Sequence, residues 1–198
     1  MGGVLLRQML DDPHFSRVIS VGRRQLPLEH PKLTQVLADF TSAAALEALD
    51  PPTVAFSCLG TTIGKAGSRD AFRAVDHGAV LAFARAARKR GASVVVHVSS
   101  VGADLRSRAF YLSVKGELER DVTRLAFPST YALRPSMLDG VREERRPAEQ
   151  LGLVVARALG PILGKYRPTK VEAVARVMIA SAKVAAPGSH VIEPGAIR

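Results

Sequence analysis

A tyrosine and a lysine four residues apart, Tyr111-Leu-Ser-Val-Lys115, follow a serine pair, Ser99-Ser100, that ends a strongly β-branched run. On a helix, positions i and i+4 share a face, so the phenol and the ammonium point into the same space. A nearby ammonium favours the phenolate, drawing a tyrosine pKa down from its ordinary value of about 10. A phenol tuned this way can give a proton to a developing alkoxide or take one from an alcohol. A serine hydroxyl at the strand end can hold the reacting oxygen. These residue types together suit hydride chemistry on a carbonyl.

The elements that must position them decide whether the spacing means anything. With 3 tyrosines and 7 lysines in the chain, one Tyr-x-x-x-Lys by accident is not rare, and a second occurs at Tyr166-Arg-Pro-Thr-Lys170. There Pro168 forbids a continuous helix, so that pair has no shared helical face. The stretch from Val101 to Ala126 has no proline and reads as helix through about Leu125. Only the first pair is mechanically sensible.

Along the chain, two periodicities alternate. Val4 to Leu10 reads as helix, ended by Asp11-Asp12-Pro13, and Arg17 to Val21 as a short buried strand. Leu33 to Asp39 is a weaker strand candidate, and Thr41 can cap a short helix through Leu49. Thr53 to Leu59 is a strand running into Gly60-Thr61-Thr62. A long amphipathic helix follows from about Ser68 to Arg90, with Gly91 as its stop. Ala92 to Ser99 is the clearest strand, and Thr130 to Leu133 another, ending at Arg134-Pro135. Two more helices, about Pro147 to Leu159 and Val171 to Val184, precede a last strand, His190-Val191-Ile192. Apolar strands separated by helices predict a doubly wound α/β fold, a parallel sheet covered on both faces. At 198 residues the size prior gives one domain, spanning 1–198.

Composition excludes several classes. No apolar run approaches the roughly 18 residues of a membrane helix, and no basic-then-apolar N-terminal signal is present. The single cysteine, Cys58, excludes an internal disulfide and any multi-cysteine metal site, and all these features together suit a reducing cytoplasm. The five histidines are scattered and match no metal spacing, so no metal is expected. His97 alternates with apolar neighbours as a core residue, and Cys58 reads as a small apolar packer. Asp76 sits among apolar residues of the long helix, where structural and functional hydrogen bonding are both open. The net charge of +10 comes mostly from arginine, 21 of 28 basic residues. Its clusters are local: Arg85, Arg88, Lys89 and Arg90 close the long helix, where cations complement the dipole, and Arg142, Arg145 and Arg146 sit beside Glu143 and Glu144. With 5% aromatic residues and no basic stripe interleaved with them, neither a nucleic-acid nor a membrane partner is expected.

In a doubly wound sheet, ligands bind at the carboxyl ends of the strands. Those ends collect Gly22-Arg23-Arg24, Leu59-Gly60-Thr61-Thr62, Ser99-Ser100 and Arg134-Pro135. An arginine closing the second strand of a dinucleotide domain accommodates the 2′-phosphate of NADP, whereas NAD calls for an acid there. Arg23 and Arg24 occupy that place with no acid beside them, which favours a phosphate role and NADP (NADPH) over NAD. Gly60 to Ala66 is no nucleoside-triphosphate loop. It has three residues between glycines instead of four, and Ala66 in place of the metal-binding hydroxyl. A glycine after the strand leaves room for a cofactor to pass closely.

Taken together, these runs resemble the short-chain dehydrogenase/reductase superfamily, which binds NAD(P) on a Rossmann fold, and within it the atypical branch of Tat-interacting-protein-like oxidoreductases. The matching runs are Val21-Gly22-Arg23-Arg24, Ser57 to Thr62 with Gly64 to Gly67, Ser99-Ser100 with Gly102-Ala103-Asp104, Tyr111-Leu112 with Val114 to Glu117, and Arg134-Pro135. The resemblance implies Tyr111 as acid/base, Lys115 holding the nicotinamide ribose, and Ser99 or Ser100 orienting the substrate carbonyl. Adjacent strand residues face opposite sides, so one of the two serines does this, and sequence does not say which. The nearest counterpart of the superfamily's helix asparagine is Asp76, a departure. A second departure lies at the start. The superfamily opens with a strand and a Gly-x-x-Gly-x-x-Gly turn, whereas Met1-Gly2-Gly3 leads straight into a helix, with Gly2 or Gly3 as the last glycine of that turn. The expectation is an N-terminally truncated domain lacking the first, central strand, two neighbours without backbone partners, and weak NADPH binding.

Two functions follow as expectations: an NAD(P)H-dependent oxidoreductase acting on a small-molecule carbonyl or alcohol, or a cofactor-sensing regulatory or partner-binding protein with the same fold and little turnover. The substrate pocket falls to Ser136 to Arg146 and the last two helices. A homodimer is compatible, since the long helices of this fold often pair.

Overall fold

The computed structural model describes residues 1–38, 51–139 and 168–197. The helices expected from Thr41 to Leu49 and from Pro147 to Leu159, the end of the strand candidate at Asp39, the arginines Arg142, Arg145 and Arg146, and Tyr166 lie outside the described residues.

Helix α1 (Gly2–Asp11) buries Leu5, Leu6, Met9 and Leu10, an i, i+4 stripe, and its end is capped from a distance. Lys32 Nζ donates to the carbonyls of Leu10 and Asp12 at 3.1 and 3.0 Å, satisfying acceptors a helix terminus leaves open. Strands β1 (Val18–Gly22) and β2 (Leu33–Leu37) pair in parallel, Val18 opposite Leu33. Strand β3 (Val54–Ser57), β4 (Val94–Val98), β5 (Ser129–Leu133) and β8 (Gly188–Ile192) form a second parallel sheet in the order β3-β4-β5-β8. The short β6 (Leu138–Asp139) and β7 (Thr169–Lys170) make a third, two-residue pairing. Lys170, half of the second Tyr-x-x-x-Lys, therefore stands on a strand.

Helices cover both faces of the larger sheet, as the continuous apolar strands require. On one face, α1 and α6 (Val171–Val184) enclose a core with Val94, Val96, Tyr131 and Leu133. On the other, α4 (Val80–Lys89) and α5 (Phe110–Thr123) bury Ala55, Val95, Leu118 and Val122. Alternation along β4 thus sends Val94 and Val96 one way and Val95 the other.

The long helix expected from Ser68 to Arg90 is helical throughout but is not a uniform α-helix. Ser68 caps α3 (Arg69–Arg73) by accepting from the Ala71 N–H at 3.0 Å; a six-residue π-turn, Ala74–Ala79, then leads into α4. Gly91 stops it with φ +96°, a left-handed conformation that favours glycine. Before it, a single turn, α2 (Ile63–Ala66), is capped by Thr62, whose hydroxyl accepts from the Lys65 N–H at 3.2 Å.

Among the described residues, β1 and β3 belong to separate sheets, so neither has a hydrogen-bonded strand on the side away from its partner. Packing bridges the two: Phe15, just before β1, meets Phe56 of β3 edge-on with ring centroids 6.0 Å apart. Val18 of β1 shares the core of α1, α6 and β4.

Candidate active site

The site is built by two helical segments whose side chains meet in matched rows. Phe72 and Asp76 stand one turn apart on α3 and the π-turn, and Tyr111 and Lys115 one turn apart on α5. Phe72 packs on Tyr111, ring centroids 5.6 Å apart, and Asp76 Oδ1 lies 2.7 Å from Lys115 Nζ. A second row runs alongside. Arg73 donates to both oxygens of Glu117, Nη2 to Oε1 at 3.0 Å, and His77 Nε2 lies 3.0 Å from Asp121 Oδ2. These rows fix the height and rotation of α5, and so the direction of its phenol and ammonium.

Tyr111 and Lys115 do share a face. The ammonium lies 6.0 Å from the centroid of the Tyr111 ring. Tyr111 is half-buried, while Lys115 and Asp76 are 4% and 1% exposed. A buried charge needs a partner, and the pair supplies it. Asp76 is also committed elsewhere: its Oδ2 accepts the backbone N–H of Thr61 at 2.6 Å, in the loop after β3. A β-carbon on Gly60 would come within 3.2 Å of Asp76 Oδ1, so the room that this glycine leaves is taken by the carboxylate.

The two serines part company. Ser99 is buried, and its hydroxyl donates to Glu119 of α5. Glu119 in turn accepts from Arg134 Nε at 2.9 Å and from Nη2 at 2.6 Å, while Arg134 Nη1 reaches Glu193 Oε1 at 3.0 Å. These carboxylates push the Arg134 guanidinium pKa up from its ordinary value, Glu119 more than Glu193. Ser99 and Arg134 thus tie together the ends of β4, β5 and β8 and the middle of α5. Ser100 is half-buried, and among the described residues its hydroxyl reaches the Val101 carbonyl at 3.4 Å.

His97 of β4 is 1% exposed, and neither ring nitrogen has a hydrogen-bond partner among the described residues. Burial first, and the Lys115 ammonium second, press its pKa down to about 3, so it is neutral at physiological pH. Burial raises the Cys58 thiol to about 12, which leaves it an inert packer beside Met178. Among the described residues no group of three or more His, Cys, Asp or Glu side chains is placed to hold a metal, and no helix is long and apolar enough to cross a membrane.

The other sequence-marked residues lie at strand ends or beside them. Arg23 and Arg24 follow β1 and are exposed, and Leu59, Gly60 and Thr61 follow β3. The first turn of α1 carries no acid and no side-chain cap, and Gly3 is exposed within it. A β-carbon on Gly2 would sit 3.8 Å from Cβ of Cys58, so this helix terminus lies beside the end of β3.

What sequence reasoning missed is the partner set: Asp76 for Lys115, Glu119 for Ser99, and Glu117 and Asp121 for the second row. The matched four-residue spacings, 72/76 with 111/115 and 73/77 with 117/121, were the available signal.

No protein-family model matches the chain. Two curated relatives are similar over most of it. The protein fmp52, mitochondrial, of Aspergillus clavatus is 40% identical over 169 residues, 82% of this chain and 72% of that protein. FMP52, mitochondrial, of Coccidioides immitis is 39% identical over 207 residues, 96% of this chain and 84% of its own length. Among solved structures, MoeE5 in complex with UDP-glucuronic acid and NAD superposes with a TM-score of 0.75 at 22% identity, covering 96% of this chain and 71% of its own. The relatives' names overturn the cytoplasmic expectation. A lone buried thiol forms no internal disulfide in any compartment, so Cys58 carried no information about location. The chain belongs to the Fmp52 family and carries the Rossmann fold of the short-chain dehydrogenases/reductases that its motifs resemble.

Proposed function

We propose that the chain is a nicotinamide-dinucleotide-dependent oxidoreductase acting on a small carbonyl or alcohol, with Tyr111 as acid/base. The observation that carries this reading is the Lys115 ammonium 6.0 Å from the Tyr111 ring, on a helix beside the end of a central parallel strand. The NAD in the MoeE5 structure supports the cofactor class.

The residues present fit such a cofactor. The N-terminus of α1 offers backbone N–H groups, Gly3 among them, with no acid in its first turn, which suits a phosphate. A β-carbon on Gly3 would meet nothing within 4 Å, so the approach is open. Arg23 and Arg24 would hold a ribose phosphate, favouring NADPH. Leu59, Gly60 and Thr61 would line the path between the halves, and Lys115 would hold the nicotinamide ribose with the N–H donors that Asp76 leaves free. When bound, the dinucleotide supplies or accepts the hydride.

The chain's own residues handle the proton. Tyr111 Oη gives its proton to the alkoxide as a carbonyl is reduced, or takes one from an alcohol in the reverse direction. The Lys115 ammonium stabilises the phenolate left behind. Ser100 orients the reacting oxygen, because Ser99 is spent on Glu119. Phe72 against the Tyr111 ring limits where the phenol can swing.

The second expected reading, a cofactor-sensing protein with little turnover, is favoured by one observation, the absence of pairing between β1 and β3 among the described residues. Incubating the chain with NADPH or NADH and a panel of small aldehydes and ketones separates the two. Carbonyl-dependent loss of reduced-cofactor absorbance is expected. Cofactor binding without turnover across the panel would favour the sensor.

A further inference from the structure

A row of aromatic rings runs past Tyr111 with a cation at each end. Lys115 stands at one end, 6.0 Å from the Tyr111 centroid, buried and paired with Asp76. Arg69 stands at the other, exposed, its guanidinium carbon 5.1 Å from the centroid of Phe110. We propose that Arg69 sets substrate specificity by taking the anionic group, carboxylate or phosphate, of a small carbonyl compound. The carbonyl of that compound lies at Tyr111 and its body along Phe110. The proposal rests on the assignment of Tyr111 above and deepens it by naming the substrate class.

Geometry carries the first half of the argument. Phe110 immediately precedes Tyr111 on α5, and the Phe72 ring lies 5.8 Å from Phe110 and 5.6 Å from Tyr111. The guanidinium and the phenol therefore share one aromatic floor. Phe72 is fully buried, whereas Phe110 and Tyr111 are half-buried and keep surface for a ligand. Arg69 is also held in place. It is the first residue of α3, whose start Ser68 caps, and its cation is attracted to the Phe110 ring.

Charge carries the second half. Among the described residues Arg69 has the Phe110 ring and no carboxylate within ion-pair distance. Arg73, one turn along the same helix, is by contrast taken by Glu117. Glu117 first, and Asp70 after it, raise the Arg73 pKa, so the acid next to Arg69 in sequence already serves Arg73. Asp104, in the loop before α5, turns Oδ1 onto the Arg106 N–H at 2.8 Å. Arg106 and Arg108, both exposed in that loop, add positive charge between Ser100 and Tyr111. An anion approaching Tyr111 thus meets an attractive field and a guanidinium fork that can bind two oxygens. A neutral carbonyl compound gains nothing from either.

The test gives the intact chain matched probes. Succinic semialdehyde and terephthalaldehydic acid are each compared with their methyl esters, and glyceraldehyde phosphate with glyceraldehyde. Binding is read from broadening of the probe's own proton resonances with oxidised nucleotide present, and turnover from reduced-nucleotide absorbance. At least one anionic probe should bind about tenfold or more tightly than its neutral partner, with KM lower in proportion. The pair that shows the preference tells carboxylate from phosphate. Arg69→Gln should erase it, leaving the neutral partner's affinity and, within about threefold, kcat unchanged. Arg69→Lys should restore part of it, since charge remains without the fork. Equal affinity for anionic and neutral partners in the parent would overturn the proposal. So would a preference that survives Arg69→Gln, or one lost equally in the variant carrying Arg106→Gln and Arg108→Gln. Anion-selective binding with no turnover would sink the oxidoreductase reading and leave this site standing; turnover indifferent to probe charge would do the reverse.

Discussion

The backbone of Gly116 on α5 lies so close to that of Asp104 that a β-carbon on Gly116 would come within 2.5 Å of the Asp104 carbonyl carbon. The contact is reinforced from the other side by the Asp104 N–H, which donates to the Leu112 carbonyl at 3.2 Å. Since neither backbone can yield cheaply, the loop of Asp104 and the helix carrying Tyr111 and Lys115 are seated on each other through a glycine. Gly116→Ala should cost about 2 to 3 kcal/mol of stability, as an overpacked core position does, and should shift Lys115. Denaturant unfolding measures the loss. A neutral substitution would mean that the loop moves freely.

The serine pair separates stability from turnover. Ser99→Ala removes a buried hydroxyl from Glu119 but leaves the Glu119–Arg134 pair intact, so it should cost about 1 kcal/mol with little effect on kcat. Ser100→Ala should do the reverse, lowering kcat/KM at nearly unchanged stability. Thermal melts alongside steady-state assays of both variants check the assignment.

His97 makes the fold acid-labile. Its folded pKa of about 3 lies below the ordinary 6.5, so below pH 6.5 the unfolded chain takes up a proton that the folded chain refuses. Stability is therefore full above that range and falls as the pH drops through it toward 3. The loss between pH 7 and pH 5 is about 2 kcal/mol from this residue alone. His97→Leu, of similar bulk and without unpartnered nitrogens, should flatten that slope in unfolding measurements at a series of pH values.

Arg23 and Arg24 are exposed at the end of β1, with no acid next to them in sequence. If they read a 2′-phosphate, the variant carrying Arg23→Ser and Arg24→Ser should lose tenfold or more in NADPH affinity, about 1.4 kcal/mol or above, and little for NADH. Paired titrations with the two nucleotides measure it.

Much of the scaffold was legible in the sequence because it follows from periodicity. The β-branched run Val94 to Val98 is β4, the helix from Val171 to Val184 is α6 residue for residue, and the pair Tyr111 and Lys115 shares a helical face as its spacing required. Among the described residues β1 and β3 stand in separate sheets. What stayed hidden depends on which helices lie side by side. The spacing of four at Phe72 and Asp76 matches that at Tyr111 and Lys115, but only the packing shows that these two helices meet. From sequence alone, structural and functional hydrogen bonding by Asp76 therefore both stay open. Which of Ser99 and Ser100 meets Glu119 depends on the register at a strand end, which a one-residue shift would reverse. The six-residue π-turn has no composition signal of its own. Location in the cell is not legible in these features: a lone cysteine and the lack of a long apolar run or a basic-then-apolar signal do not distinguish the cytoplasm from the mitochondrion named for the relatives.

The most direct test of the central claim compares the parent chain with Tyr111→Phe for NADPH-dependent reduction of the best carbonyl in the panel, with nucleotide binding measured on both. The phenyl ring keeps its packing on Phe72, so fold and affinity should be preserved. Turnover should fall about a hundredfold or more, the scale of lost general acid catalysis. Turnover that survives the substitution would contradict the account.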